Sequence, residues 1–220
     1  MGRGRSTMNI RIRPARTDDA DFLSWAILAA TRSHRQKGWF DIVLDRPEDG
    51  CLEYLRRLTL TATRSWWHYS RFHIAEADGR PAATLCAFRA GDGYPLSQPA
   101  MVEVAQGLAL SEHAQATMWR RGAYLFTCVM ESSDDLWTIE NVATLPAHRG
   151  RGLAGTLIEH ALEEGRQKGF GEAQITFLIG NEAAERAYAK AGFAFAAEKR
   201  HPDFAAAVGA PGLRRFVRRL

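Results

Sequence analysis

One short segment, 146–155, concentrates glycines and arginines in the sequence Pro-Ala-His-Arg-Gly-Arg-Gly-Leu-Ala-Gly. It follows a predicted strand and opens a predicted helix. Glycine allows the backbone to approach a ligand closely, and the unpaired N–H groups at a helix start, together with the helix dipole, favour an anion. Arg149 and Arg151 add positive charge. This chemistry predicts a binding site for phosphate or pyrophosphate.

The glycine spacing also matches the dinucleotide-binding fingerprint G-x-G-x-x-G through Gly150, Gly152 and Gly155. That fold places the loop after its first strand and an acid at the end of its second strand. Here the loop comes late in the chain, and Glu172, the acid at roughly the right distance, precedes its strand. A dinucleotide-binding oxidoreductase is therefore the less favoured alternative. A P-loop is excluded because no Gly-Lys-Ser/Thr follows.

A second interpretation rests on two motifs. Arg149-x-x-Gly152-x-Ala154 resembles the Arg/Gln-x-x-Gly-x-Gly/Ala motif of the GNAT superfamily of N-acetyltransferases. About 30 residues later, the second motif has the sequence Asn181-x-x-Ala184-x-x-x-Tyr188-x-Lys190-x-Gly192-Phe193. The resemblance covers about 136–197, and two ordered motifs are far more specific than one. It implies an enzyme that moves an acetyl group from acetyl-CoA to a primary amine by direct attack in a ternary complex.

The resemblance also implies how acetyl-CoA, the co-substrate, would bind. Backbone N–H groups of the glycine loop would hold the pyrophosphate, and the strand ending at 142–144 would bond the pantetheine. The next strand would splay away and open a V-shaped slot, where a main-chain N–H of Val142 or Ala143 could polarise the thioester carbonyl. The implied cofactor contacts are Val142, Ala143, Thr144, Arg149, Gly150, Arg151, Gly152, Leu153, Ala154, Gly155, Asn181, Ala184 and Tyr188.

Glu140 is the candidate base. It lies two residues before Val142, which on an alternating strand places both on one face, and glutamates that act as bases in some relatives occupy a similar place. A carboxyl with an ordinary pKa of ~4.3 is a poor base for an ammonium, so burial or a water relay would have to help. An exposed strand glutamate is the alternative. Water alone could serve instead, as could four other acids, Glu103, Glu131, Asp134 and Asp135.

Tyr188 is the candidate acid, because it stands at the family's tyrosine position and could hydrogen-bond the departing CoA thiolate. A phenol of pKa ~10 donates to a thiol of pKa ~8.5 uphill, so hydrogen bonding is favoured over complete proton transfer. A core tyrosine on an alanine-rich helix face is the alternative. Aromatic residues at 66–69 and 38–40 could be core or could shape the acceptor site.

The surrounding elements predict an α/β (α+β) protein with the GNAT fold, a mixed central sheet flanked by helices, with a helical insertion before the cofactor-binding strand. Thr17 and Asn181 are predicted helix N-caps, and Asp78-Gly79 predicts a two-residue hairpin. Strands are predicted at 10–13, 72–77, 81–88, 136–144, 173–179, 193–197 and 213–220, the last as an edge strand. Helices are predicted from residue 17, from 47, within 101–121, at 152–168 and from 181 to 191, with a loop at 203–212.

We expect a single domain over 1–220. Its parts are an N-terminal strand, helices and hairpin (9–90), an insertion that could be a substrate lid or a packing element (91–135), the acetyl-CoA motifs (136–197), and a C-terminal loop and edge strand (198–220). Met1 and Met8 are both candidate start residues.

Composition limits the function classes. A chain of 220 residues with 46% hydrophobic and 25% charged residues is typical of a globular protein. Its net charge of +4 comes from the two ends, which does not favour nucleic-acid binding. Three widely spaced cysteines exclude a disulfide framework, and the histidines show no metal-ligand spacing. We expect a cytoplasmic protein without metal or membrane span.

The acceptor is left open among a small amine, an amino acid, a peptide or protein lysine, and an antibiotic. The negative middle of the chain favours a cationic acceptor. A homodimer is an expectation from the resemblance alone. A non-catalytic acyl-CoA-binding module is the second alternative function.

Overall fold

A seven-stranded sheet forms the centre of the computed structural model, which describes residues 9–131 and 133–220. The strand order is β1-β2-β3-β4-β5-β7-β6; β4 and β5 are parallel, and every other pair is antiparallel. The strands are β1 (Ile10–Pro14), β2 (Phe72–Ala77), β3 (Arg80–Arg89), β4 (Trp137–Thr144), β5 (Glu172–Leu178), β6 (Ala194–Arg200) and β7 (Gly212–Arg219). Both candidate start residues lie outside the described residues.

Helices cover both faces of this sheet. They are α1 (Ala20–Arg32), α2 (Trp39–Leu44), α3 (Glu48–Thr59), α4 (Ala90–Gly93), α5 (Ser97–Gly107), α6 (Glu112–Gly122), α7 (Leu153–Gln167), α8 (Glu182–Lys190) and α9 (Pro202–Val208). The predicted mixed α/β architecture is confirmed. The dinucleotide interpretation is wrong, because that fold needs a parallel sheet with the glycine loop after its first strand.

Strand alternation sorts the core into two layers. Cys86 and Phe88 of β3 face the layer with α1, α2, α3 and α5, while Leu85 and Ala87 face the layer with α7. We refer to these two sides of the sheet as the α1 face and the α7 face. The helices of the insertion belong to the first layer, since Met101 and Met118 are buried in its core.

Two predictions about the C-terminal region are wrong. Residues 203–212 are not all loop, because α9 forms there and buries Phe204 against Leu178. Strand β7 is not an edge strand: it inserts between β5 and β6 and pairs with both, which leaves β6 at the edge. Chain order does not determine sheet order, because a late strand can pair with an earlier strand whose edge is still unpaired.

Thr17 is not a helix N-cap. It lies in a short 3-10 turn that precedes α1. The carboxylate of Asp19 caps this turn by accepting the N–H of Arg16 at 2.7 Å, and it also accepts from the Arg13 guanidinium at 2.8 Å. Asn181, in contrast, is an N-cap as predicted, because its side chain accepts the N–H of Ala184. None of the helices in the described part of the chain has the length and apolar run that crossing a bilayer requires.

Candidate active site

The candidate site is a slot between β4 and β5. Their parallel ladder runs from the Trp137–Ala173 pair to the Ile139–Ile175 pair and stops there, although both strands continue. From Glu140 onward, β4 stays paired with β3, but its other edge has no pairing with β5 and faces the slot. A cavity of about 1720 Å³ opens at this point and is lined from both sides of the sheet.

A β-bulge in β4 sets which side chains enter the slot. One extra residue stands between the β4 pairings with Thr84 and Cys86 of β3, and Asn141 has a φ of 53°. Asparagine tolerates this left-handed conformation better than most residues. Glu140 pairs with Cys86 on the α1 face, while Val142 packs on the α7 face. The expectation that Glu140 and Val142 share a face is therefore wrong, because the bulge breaks the alternation.

The glycine loop connects β4 to the N-terminus of α7. Gly150 and Gly152 have φ values of 75° and 80°, and Gly152 precedes the first helical residue, Leu153. A Cβ atom at either glycine would meet nothing within 4 Å, so this side of the loop is open. The Arg149 Nε donates to the Thr144 carbonyl and ties the loop to the end of β4. Free N–H groups at this helix start are suited to an anion.

The structure gathers nearly all of the predicted site residues around one cavity. Arg151 is exposed and lies outside its lining. The predicted site residues that line the cavity are Glu140, Val142, Ala143, Thr144, Arg149, Gly150, Gly152, Leu153, Ala154, Gly155, Asn181, Ala184 and Tyr188.

Glu140 lies in a desolvated part of the cavity. Its Oε1 accepts a hydrogen bond from the Tyr94 hydroxyl at 2.9 Å. Burial raises the pKa of Glu140 to about 7, and the bond from Tyr94 acts against that rise because it stabilises the carboxylate. A carboxyl with this pKa can accept a proton near neutral pH, which an exposed glutamate does poorly.

Tyr94 is a site residue that sequence reasoning missed. It follows α4 in a turn that folds back over β3, where its ring makes edge contacts with Phe88 and Trp66 at centroid distances of 5.1 and 5.7 Å. Gly93 allows this packing, because a Cβ atom there would lie 2.4 Å from the Phe88 ring. The available signal was an aromatic residue between glycine and proline, one short helical turn after a strand that pairs with the Glu140 strand.

Tyr188 approaches the slot from α8. Asn181 fixes the start of this helix by capping Ala184, and the Tyr188 ring packs edge-on against Phe177 of β5 at 5.3 Å. Burial raises the pKa of the Tyr188 phenol, and the negative charge of Glu140 raises it further. The phenol therefore stays protonated at neutral pH and lies within electrostatic range of Glu140.

The substitute bases are less well placed. Glu103 accepts hydrogen bonds from two main-chain N–H groups of the loop after α3. Burial acts to raise the pKa of Glu103, but these hydrogen bonds outweigh burial and the pKa is lowered. Asp135 is exposed and pairs with Arg89. Glu131 and Asp134 line the cavity, but both are exposed. Glu140 combines burial in the cavity with a pKa raised toward neutrality.

An aromatic wall closes the α1 face of the cavity. Trp39 stacks on Trp67 at 6.3 Å, and Trp66 contacts Trp67 at 4.4 Å. These three tryptophans and Trp119 line the cavity. The aromatic segments at 66–69 and 38–40 are therefore both core and cavity wall. No group of three or more metal-ligating side chains is found among the described residues.

Comparisons with known proteins bear on the family and the fold. The model of the acetyltransferase (GNAT) family matches residues 37–193. A streptothricin acetyltransferase from Streptomyces lavendulae is 38% identical over 58 residues, which cover 26% of this chain and 31% of that enzyme. The chain therefore matches less than a third of that relative's length.

Solved structures share the fold. An N-acetyltransferase from Staphylococcus aureus Mu50 superposes with a TM-score of 0.70 and 21% identity, covering 94% of this chain and 100% of that one. The yncA protein of Salmonella typhimurium, solved with its cofactor acetyl-CoA, has a TM-score of 0.52 and 15% identity, covering 96% and 94%.

Proposed function

The chain belongs to the acetyltransferase (GNAT) family, and on this premise we propose that it transfers the acetyl group of acetyl-CoA to a primary amine by direct attack in a ternary complex. The observation that carries the proposal is that one cavity joins the open N-terminus of α7 to Glu140 and Tyr188. Ligand pockets commonly measure about 300–1,000 Å³, so a cavity of about 1720 Å³ has room for two substrates together.

The chain's residues fit acetyl-CoA. The open N-terminus of α7, with Gly150 and Gly152, would hold the pyrophosphate through main-chain N–H groups. Arg149 and Gly155 line the same part of the cavity. The main chain of β4 after the bulge would bond the pantetheine, since this stretch is not paired with β5. A β4 N–H at Val142 or Ala143 would polarise the thioester carbonyl.

Glu140 would take the proton from the acceptor ammonium. A lysine-like amine of pKa ~10.4 is mostly protonated at pH 7, a cost of roughly 4.6 kcal/mol for the neutral form. The raised pKa of Glu140, about 7, makes its carboxylate a better proton acceptor than an ordinary glutamate. The neutral nitrogen then forms the N–C bond to the acetyl carbon as the C–S bond breaks.

Tyr188 would hydrogen-bond the departing sulfur. Its phenol is protonated at neutral pH because burial raises its pKa. The second proton lost by the amine passes to the thiolate, with Tyr188 as donor and relay. In balance, ammonium and thioester give amide, thiol and one proton to solvent.

The test is thiol release from acetyl-CoA with a panel of amines. At least one primary amine should exceed background hydrolysis. Glu140→Gln and Tyr188→Phe should each lower kcat by about 100-fold or more, in line with general acid–base catalysis. Affinity for CoA should stay within about threefold of the wild type, because neither side chain is placed at the pyrophosphate.

Glu182→Gln is the matched control, since Glu182 is an exposed glutamate of α8 paired with Arg186.

At pH 8 the Glu140→Gln variant should be at least as stable as the wild type, because the folded state disfavours an ionised Glu140 above its pKa of about 7. If no amine exceeds background while CoA binds tightly, the chain is a non-catalytic acyl-CoA-binding module and the proposal fails.

A further inference from the structure

Arg215 brings a positive charge to the acceptor side of the cavity. On β7, Arg214 and Arg218 turn to the α7 face, where they bond Glu185 of α8 and Glu159 of α7. Arg215 lies between them in sequence and therefore turns to the α1 face, where it lines the cavity. The β7 arginines thus have two different roles.

Arg215 keeps unused hydrogen-bonding capacity there. Its Nη1 donates to the main-chain carbonyl of Glu131 at 2.6 Å, while its Nε is buried without a hydrogen-bond partner. An unpaired buried donor costs about 1–3 kcal/mol. The hydroxyl of Tyr124, also in the cavity lining, is likewise buried without a partner. Tyr124 packs against the same small core cluster as Leu213, which lies two residues before Arg215 on the same face of β7.

Sheet register places Arg215 on the same face of the sheet as the candidate base. Arg215 is opposite Thr176 of β5, and Thr176 follows Ile175, the last β5 residue paired with β4. Glu140 follows Ile139, the β4 residue of that last pair. Glu140, Thr176 and Arg215 therefore all lie on the α1 face, at the end of the sheet where β4 and β5 separate.

Electrostatics agrees with this row. Arg215 acts to lower the pKa of Tyr94, against the larger effect of burial. The hydroxyl of Tyr94 is bonded to Glu140. The Tyr94 phenol is therefore hydrogen-bonded to a proton-accepting carboxylate and within electrostatic range of a guanidinium. A small molecule that carries an anionic group close to its amine would suit both side chains, with the anion at Arg215 and the amine at Glu140.

We propose that the acceptor is an α-amino acid with an apolar or aromatic side chain, whose carboxylate binds Arg215 while its amine faces Glu140. The inference rests on the proposed function. Guanidinium binds carboxylate in a two-point geometry that other cations do not offer. The side chain of the amino acid lies against the wall of Trp39, Trp66 and Trp67. A cationic acceptor without a carboxylate, which the negative middle of the chain favours, would form no ion pair with Arg215.

The experiment compares each amino acid with its decarboxylated amine. The pairs are L-phenylalanine with phenethylamine and L-tryptophan with tryptamine, assayed by thiol release from acetyl-CoA. The wild type should prefer each amino acid at least tenfold in kcat/KM. Arg215→Gln should lower kcat/KM for the amino acids about 10- to 100-fold, chiefly through KM, and change the amines by less than about threefold.

Two variants separate binding from structure. Arg215→Lys keeps the charge and should recover part of the amino-acid activity. Arg219→Gln is the matched control, because Arg219 is on the same strand face but outside the cavity lining, and it should leave both substrates unchanged. Preference for the decarboxylated amines, or an equal loss for both members of a pair in Arg215→Gln, overturns the carboxylate subsite.

Failure of this inference can be told from failure of the proposed function. If the amines are acetylated without any preference for a carboxylate, the transferase stands and the role of Arg215 is wrong. If neither amino acids nor amines release thiol, the proposed function itself is wrong.

Discussion

Burial gives Glu140 a pKa near neutral pH, which is the property that its proposed role as a base requires. Burial raises its pKa, and the hydrogen bond from Tyr94 limits the rise to about 7. Burial, and after it the negative charge of Glu140, raises the pKa values of Tyr188 and Cys86. Under the proposed function, Tyr94 is a positioning residue for Glu140.

Tyr94→Phe should move the pH dependence of the reaction. Removing the hydroxyl takes a hydrogen bond from the carboxylate, so the pKa of Glu140 should rise by about one unit. The acid limb of kcat/KM, near pH 7 in the wild type, should shift to higher pH, while activity at high pH is largely recovered. A pH–rate profile measures this. A uniform loss at every pH would contradict the role given to Tyr94.

At the scale of elements, the slot depends on two irregularities in β4. Its ladder with β5 stops after the Ile139–Ile175 pair, and its bulge at Asn141 changes the alternation of the residues that follow. A regular strand would pair with β5 and leave its main chain with no free groups for a ligand. The glycine loop then starts α7 at the open end of this slot.

Gly152→Ala should weaken acetyl-CoA binding. The glycine has a φ of 80° at the start of α7, and alanine there costs about 1–2 kcal/mol in the left-handed region. The added methyl group would also stand on the open side of the loop, where the pyrophosphate would bind. We expect the KM for acetyl-CoA to rise about tenfold, equivalent to 1.4 kcal/mol.

Gly169→Ala is the matched control. Gly169 lies just past the other end of α7, has a φ of 84° and also has open space beside it. Both variants should lose similar stability in urea unfolding, but the KM for acetyl-CoA should change in Gly152→Ala alone. Equal KM values in the two variants would exclude the loop as the pyrophosphate site.

At the scale of the whole molecule, the C-terminal strand completes the site. Inserted between β5 and β6, β7 places Phe216 against Phe177 at 5.1 Å, and Phe177 in turn contacts Tyr188. Its arginines also meet acidic partners from the middle of the chain, Arg214 with Glu185 and Arg218 with Glu159. The positive end of the sequence thus pairs with its negative middle.

Phe216→Ala should destabilise the protein and disturb the site. Removing a buried phenylalanine costs about 3–5 kcal/mol, and the loss of packing under Phe177 should lower kcat through Tyr188. Phe195→Ala is the comparison, because Phe195 is 57% exposed on the edge strand and should cost less than about 1 kcal/mol. Urea unfolding measures both; similar losses would contradict the buried role of β7.

The sequence by itself determined what depends on neighbours along the chain. The Asp78-Gly79 hairpin, the cap at Asn181 and the glycine loop before α7 are local devices, encoded by residues that favour a turn, a cap or a positive φ. Together with the two motifs, they were enough to predict the mixed sheet and the family. Nearly all of the residues proposed for cofactor binding lie in or next to the glycine loop and the helix capped by Asn181, and these residues line the cavity.

The tertiary structure decided what depends on residues distant in sequence. Tyr94 reaches Glu140 across 46 positions, β7 enters between two earlier strands, and the bulge at Asn141 moves Val142 away from the face of Glu140. None of these follows from local preference, because each reflects the packing of whole elements and the energy of burying polar groups. The placement of Arg215 in the cavity lining on the α1 face has the same origin, since the face of a strand is defined only by the sheet that it joins.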